Sequence, residues 1–189
     1  MKKGDYLNKI LRSEKTVFTV KDIVLLWREE DLNAVYARLN YYVKEGDLHR
    51  VRKGVYVKNE EYDRLELAVR IFTPAYVSFE TVLAREGVIF QFQTAITVAS
   101  YLARRVVIDK QEYSFRKIKH GVLLNPTGVK QEKNFSVANK ERAFLDTLYN
   151  HTDYYFDNLR SLDWDTVFFM LPLYENRRMN RQVERLSLL

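Results

Sequence analysis

The stretch EGDLHRVRKGVYV, residues 45–57, sets Arg50, Arg52 and Lys53 around one glycine, Gly54, with Lys58 just beyond it. Guanidinium and ammonium groups gathered this way suit charge-assisted hydrogen bonds to phosphate oxygens. Val51, Val55, Tyr56 and Val57 lie between the cations and are the residues that would pin the stretch to a core. A second set precedes it in LNAVYARLNYYVKE. There Asn33, Ala37, Arg38, Asn40, Tyr41 and Lys44 fall opposite the helical stripe of Val35, Leu39 and Val43. Asn and Arg make paired hydrogen bonds to adenine and guanine edges. On this reading Lys44, Arg50, Arg52 and Lys53 supply affinity for a phosphate backbone, and Asn33, Ala37, Asn40 and Tyr41 read bases. The competing reading is a solvated helix face and a hairpin edge that carries charge to avoid aggregation.

Other residues point to catalysis only weakly. His49, His120 and His151 are far apart and share no ligand spacing. Asp153, Asp157, Asp163 and Asp165 crowd one segment without the pattern of a calcium loop. Asp109 and Glu112 lack the lysine a nuclease strand pair would add. NPTG, at 125–128, lacks the G-K-[ST] ending of a phosphate loop. The absence of cysteine removes disulfides, thiolate metal sites and a thiol nucleophile. The expectation is a protein without enzymatic activity, metal or cofactor.

The elements that must position these residues can be read from local signals. Tyr6, Leu7, Ile10 and Leu11 give a short helix over 3–11. Thr19 followed by Asp22 is a capping box, with Phe18 and Ile23 as a hydrophobic staple, so a second helix runs over 20–27. Asp31 caps a third helix, and Gly46 stops it. Residues 48–52 and 55–57 form a hairpin turning at Lys53 and Gly54. Three helices and a basic hairpin are the parts of a winged helix-turn-helix. A helix over 62–72, ended by Thr73-Pro74, connects to a second half of mixed periodicity. That half holds a helix capped by Ser78 and closed by Gly87, and strands at 94–100, 104–109, 112–118 and 120–125. An amphipathic helix follows in ANKERAFLDTLYN, with Ala143, Phe144, Leu145, Leu148 and Tyr149 as its apolar side. There Glu141 complements the helix start, and Arg142 can pair with Asp146 four residues on. The fold class is therefore α+β: a winged helix-turn-helix over 1–60, then a mixed α/β domain with terminal helices over 61–189.

In the last helix Arg177, Arg178, Arg181 and Arg185 form a basic face beside Met179, Val183, Leu186, Leu188 and Leu189. Such a helix docks on its own core, pairs with another protomer or grips an acidic partner, and own-core docking is the simplest of the three. The four arginines are the candidate partner-binding residues. The 189 residues carry a net charge of +6, with 47% hydrophobic and 30% charged side chains. That composition is globular, and its basic balance favours acidic partners such as nucleic acid. No apolar run is long enough to span a membrane, and the start lacks a signal-peptide core, so a cytoplasmic location is expected.

LNYYVKEGDLHRVRKGVYV resembles the winged helix of AbiEi-type antitoxins, in which a basic residue, glycine and an aromatic close the wing. Here these are Lys53, Gly54 and Tyr56. TPAYVSFETVLAREGVI and VANKERAFLDTLY are similar to the C-terminal domain of that family, with Glu141, Arg142, Ala143 and Asp146 in its E-R-A-x-x-D helix. Lys140 stands where that helix usually opens with proline, and the chain after Asn150 has no counterpart. The resemblance implies an antitoxin of a two-gene phage-defence operon. Its winged helix would repress the operon by binding repeats in its own promoter, with copies associating on the DNA. Its C-terminal domain would neutralise a nucleotidyltransferase-like toxin. The alternatives are a winged-helix regulator with a sensing or protein-interaction domain and no toxin, and a nuclease acting through Asp109 and Glu112.

Overall fold

In the computed structural model, which describes residues 5–189, the chain divides after Ile71 into two units, each with its own sheet. The fold is α+β, as the periodicities expect. The first unit runs α1 (Asp5–Arg12), β1 (Val17–Thr19), α2 (Val20–Trp27), α3 (Leu32–Glu45), β2 (His49–Arg52), β3 (Val55–Val57) and α4 (Arg64–Ile71). The expected start of α1 at residue 3 lies outside the described residues. The capping box forms as read. Thr19 Oγ1 accepts from the Asp22 N–H at 3.2 Å, and Asp22 Oδ2 accepts from the Thr19 N–H at 2.9 Å. Strand β1 has no signature of its own. It exists because Val17, Phe18 and Thr19 pair antiparallel with Val57, Tyr56 and Val55, which makes β3 the central strand. The core gathers Ile10, Phe18, Ile23, Trp27, Val35, Leu39, Tyr42, Leu48 and Tyr56. Trp27 donates its indole N–H to the Tyr6 carbonyl at 2.9 Å.

The boundary expected at 60/61 falls later because α4 belongs to the first unit. Glu66 on α4 is fully buried, and its Oε2 accepts from the Thr16 N–H (2.9 Å) and the Thr16 hydroxyl (2.8 Å). A buried carboxylate needs such donors, so α4 cannot be cut away without stranding it.

The second unit has a six-stranded mixed sheet in the order β6-β7-β5-β4-β9-β8. Its strands are β4 (Ala75–Val77), β5 (Ile96–Ser100), β6 (Arg104–Ile108), β7 (Gln111–Lys117), β8 (Val129–Glu132) and β9 (Phe135–Ala138). Its helices are α5 (Glu80–Arg85), α6 (His120–Leu123), α7 (Lys140–Asn150), α8 (Trp164–Met170) and α9 (Arg177–Leu186). Three expectations are corrected here. The segment expected as a strand over 120–125 holds instead the short helix α6, His120–Leu123, since a short apolar run fits either element. Ser78 does not cap α5. Phe79 occupies the cap position at φ 57°, and the Ser78 hydroxyl is drawn instead to Asp146 at 2.7 Å. Helix α7 is not amphipathic in place: every residue from Glu141 to Leu148 is buried.

Burying that helix is possible because its charges are satisfied. Arg142 and Asp146 are fully buried and paired at 3.3 Å. Asp146 also accepts from the hydroxyls of Tyr76 (2.9 Å), Ser78 (2.7 Å) and Tyr174 (2.6 Å). Arg142 donates to the Tyr76 hydroxyl and to the carbonyls of Thr127 and Val122. Burial raises the Asp146 pKa, while Arg142 and the three hydroxyls oppose that rise. Gly128 lets the chain pass close to this pair. A Cβ there would lie 2.9 Å from the Arg142 Cβ and 2.6 Å from the Met170 sulfur, at φ +75°. Replacing Asp146 with alanine leaves a guanidinium buried without its counter-charge. That substitution should cost the second unit ~3–5 kcal/mol, read as a lower urea midpoint for the loss of near-ultraviolet circular dichroism.

Candidate nucleic-acid interface

Helix α3 is held at both ends by the residues that predict it. The Asp31 carboxylate accepts from the N–H groups of Asn33 (2.9 Å) and Ala34 (3.3 Å). Gly46 turns the chain at φ 82°, and the next N–H, of Asp47, returns to the Tyr42 carbonyl at 2.9 Å. Between these ends Val35, Leu39 and Tyr42 face the core. Asn33, Ala37, Asn40, Tyr41 and Lys44 are exposed on the other side, as expected. Tyr41 is half exposed, with its ring edge-on to buried Tyr42 at 5.7 Å. Tyr36 joins this face at 44% exposure. Periodicity does not single it out, because an aromatic beside an apolar stripe reads as core, although its offset of four from Asn40 puts both on one side.

Arg38 leaves the set. Its guanidinium pairs with Glu29 at 3.0 Å and lies 4.1 Å over the Tyr6 ring. It fastens α3 to the loop after α2 and to α1. An arginine on a half-exposed helix position has this second use because its long stem reaches an aromatic and a carboxylate together.

The hairpin places its cations by a register shift. His49 and Arg50 pair with Val57 and Tyr56, then Arg52 pairs with Val55, so Val51 is an extra residue between them. His49, Arg50 and Lys53 are exposed, and Arg52 is half-buried. Gly54 makes the turn at φ 77°, and its carbonyl accepts from the Val20 N–H at 3.1 Å. Val55, Tyr56 and Val57 are all buried, as a central strand covered on both faces requires, and they pin the hairpin to the core as expected of them. Burial raises the Tyr56 pKa. Its phenol lies within electrostatic reach of both Arg50, which hydrogen-bonds it, and Tyr36 of α3. Tyr56 also packs in one core with Val35 and Leu39 of α3 and pairs across the hairpin with Arg50.

The remaining sequence-level candidates lie elsewhere. Asp163 caps α8, accepting from the N–H groups of Asp165 and Thr166. Asp157 accepts from the Phe90 N–H at 2.8 Å. Glu112 pairs with Arg105 at 3.5 Å, and Asp109 sits in the β6–β7 turn at φ 48°. His151 ends α7, with Nε2 3.2 Å from Arg116. No group of three His, Cys, Asp or Glu among the described residues could hold a metal. In α9, Met179 and Val183 are fully buried, so the helix docks on its own unit. Leu188 and Leu189 are exposed, as are Arg177, Arg178, Arg181 and Arg185. No helix among the described residues is long and apolar enough to cross a membrane.

Two outcomes follow for this unit. Burial raises the Asp22 carboxyl, but hydrogen bonds from Lys15 and Thr19 and the charge of Arg70 hold it below its usual range. A depressed folded-state pKa contributes stability above the unfolded-state value of ~3.9 that is lost as pH falls through the folded value. Amide exchange of α2 should therefore accelerate in that acid window, and Asp22→Asn should be less protected at neutral pH and show no such step. Arg38→Ala should cost ~1 kcal/mol of stability in a urea titration. In comparison with known proteins, no protein-family model matches this sequence, and no curated protein shows significant similarity to it.

Proposed function

We propose that the first unit is a winged helix that binds double-stranded DNA, and that the chain is a DNA-binding antitoxin and autorepressor of a two-gene operon. The observation that carries the DNA reading is the pair of exposed faces on the two elements whose buried sides, Val35 and Leu39 of α3 and Tyr56 of the hairpin, share one core. On one side α3 exposes Asn33, Tyr36, Ala37, Asn40, Tyr41 and Lys44, and on the other the hairpin exposes Arg50 and Lys53. An amide at the start of the helix, Asn33, and another about two turns on, Asn40, suit base edges, and cations on the hairpin suit the backbone. The element order helix, strand, helix, helix, strand, strand, with β1 closing the sheet, supports the winged-helix reading.

The antitoxin role rests on the resemblance of the wing and of the E-R-A-x-x-D helix to AbiEi-type antitoxins. On that resemblance the second unit neutralises a nucleotidyltransferase-like toxin. The buried state of Arg142 and Asp146 gives those two residues a structural part in neutralisation, since they hold the unit together and do not touch the toxin. Co-expression with the product of the adjacent gene tests this part. Rescue of growth from a toxic neighbour is the expected result. A harmless neighbour leaves a promoter-binding regulator without a toxin.

DNA binding is tested on the duplex upstream of the protein's own gene against a scrambled duplex, across a salt series. The Arg50→Glu/Lys53→Glu variant should lose on the order of 100-fold in affinity and flatten the salt dependence. Asn33→Ala/Asn40→Ala should cost ~1–3 kcal/mol of discrimination per lost base contact and keep the salt slope. Equal binding to both duplexes, indifferent to either variant, overturns the reading.

A further inference from the structure

Helix α9 carries charge against its own interest. Arg177 and Arg178 follow the Asn176 cap directly, and the first turn holds no acid. Cations at that end oppose the helix dipole. Arg178, Arg181 and Arg185 stand three and four residues apart, so they share one face and repel one another. Among the described residues, none of the four arginines makes an ion pair. Asp153 lines the same groove, and Glu184 lies on the helix itself.

The helix is nonetheless rigidly seated. Met179 and Val183 are fully buried, Asn176 caps its start, and Gln182 donates to the Thr152 carbonyl at 2.6 Å. Thr152, Asp153, Arg178, Arg181, Gln182 and Arg185 line one open groove. A seated helix that presents a row of exposed guanidinium groups without ion-pair partners suits an anion brought from outside.

We propose that this row grips the phosphate backbone of a nucleic acid duplex, independently of sequence. From Arg178 to Arg185 the row is about 10 Å long. A duplex presents one negative charge per ~1.7 Å of its axis, so the row meets several phosphates in any register. Arginine, with its planar fork, fits phosphate oxygens in pairs. The groove has no apolar lining residue, which separates it from a pocket for an amphipathic acidic peptide. The row deepens the DNA reading and depends on it only for the choice of duplex DNA as the polyanion.

The test uses the full chain and a random-sequence duplex of thirty or so base pairs, read by fluorescence anisotropy across a salt series. Arg178→Gln/Arg181→Gln/Arg185→Gln should lower affinity at least tenfold and reduce the slope of log affinity against log salt by ~2.7, which is ~0.9 for each of three contacts. The corresponding triple lysine variant should keep most of the slope, and an unchanged circular dichroism spectrum excludes unfolding as the cause. An unchanged slope in the glutamine variant overturns the proposal. So does tighter binding of the row to polyglutamate than to the duplex. Arg50→Glu/Lys53→Glu, run in parallel, separates the two surfaces. If it leaves promoter binding intact while the glutamine variant loses slope, the wing reading fails and the arginine row stands.

Discussion

A fully buried carboxylate holds the second unit in one arrangement. Asp146 receives an arginine and three hydroxyls, and these come from β4, from the residue after it, from α7 itself and from the turn that follows α8. Each donor fixes the distance of its own element from the helix. Charge of this kind is a poor source of net stability, because desolvation offsets most of the attraction. Its effect is on uniqueness. A sheet of six strands covered by an apolar helix could slide, but one whose helix must present Asp146 to three particular hydroxyls cannot. Gly128 fits the same logic, since its missing side chain leaves room for the arginine stem.

The first unit reaches definition by another route. Its interactions are local caps joined by one aromatic core. Thr19 with Asp22, Asp31 and Gly46 set where each helix begins or ends, and Trp27 packs edge-on between Tyr6 and Tyr42. Because the caps settle the helix ends, the exposed side of α3 is set by which residues the core takes. Arg38 shows the limit of that rule. Its position on the helix is that of a surface residue, and only the nearness of Tyr6 and Glu29 turns it inward.

How much of this is legible in the sequence follows from the range of each interaction. The limits of α2, the Asp31 cap, the Gly46 stop and the hairpin turn are written within a few residues, and they are read correctly. The hairpin cations and the outward face of α3 are legible for the same reason. Strand β1 depends on a partner nearly forty residues along the chain and leaves little local pattern, while the β8–β9 hairpin turns at Lys133 and Asn134 without the glycine that would announce it. The i,i+4 spacing of Arg142 and Asp146 announces their pairing. Nothing near them announces that the pair is buried, because the hydroxyl donors Tyr76 and Ser78 lie 70 and 68 residues away. Ser78 misleads for the same reason: locally it is a cap, and in the fold it is a ligand of a distant carboxylate.

The reach of the Asp146 network also sets an order of events during synthesis. The first unit has every partner described for it once Ile71 has been made, since α4 then supplies both Glu66 to Thr16 and Arg70 to Asp22. The second unit cannot close when its sheet is finished at Ala138, nor when α7 is. It waits for Tyr174, whose hydroxyl fills the remaining place on Asp146, and for Met179 and Val183, which seal the last helix. Over that interval a nascent chain carries one folded unit and an open sheet whose central charge still lacks a donor. Domains fold as units as they emerge, so the two halves of this chain mature at separate times, with the basic hairpin finished well before the unit that follows it.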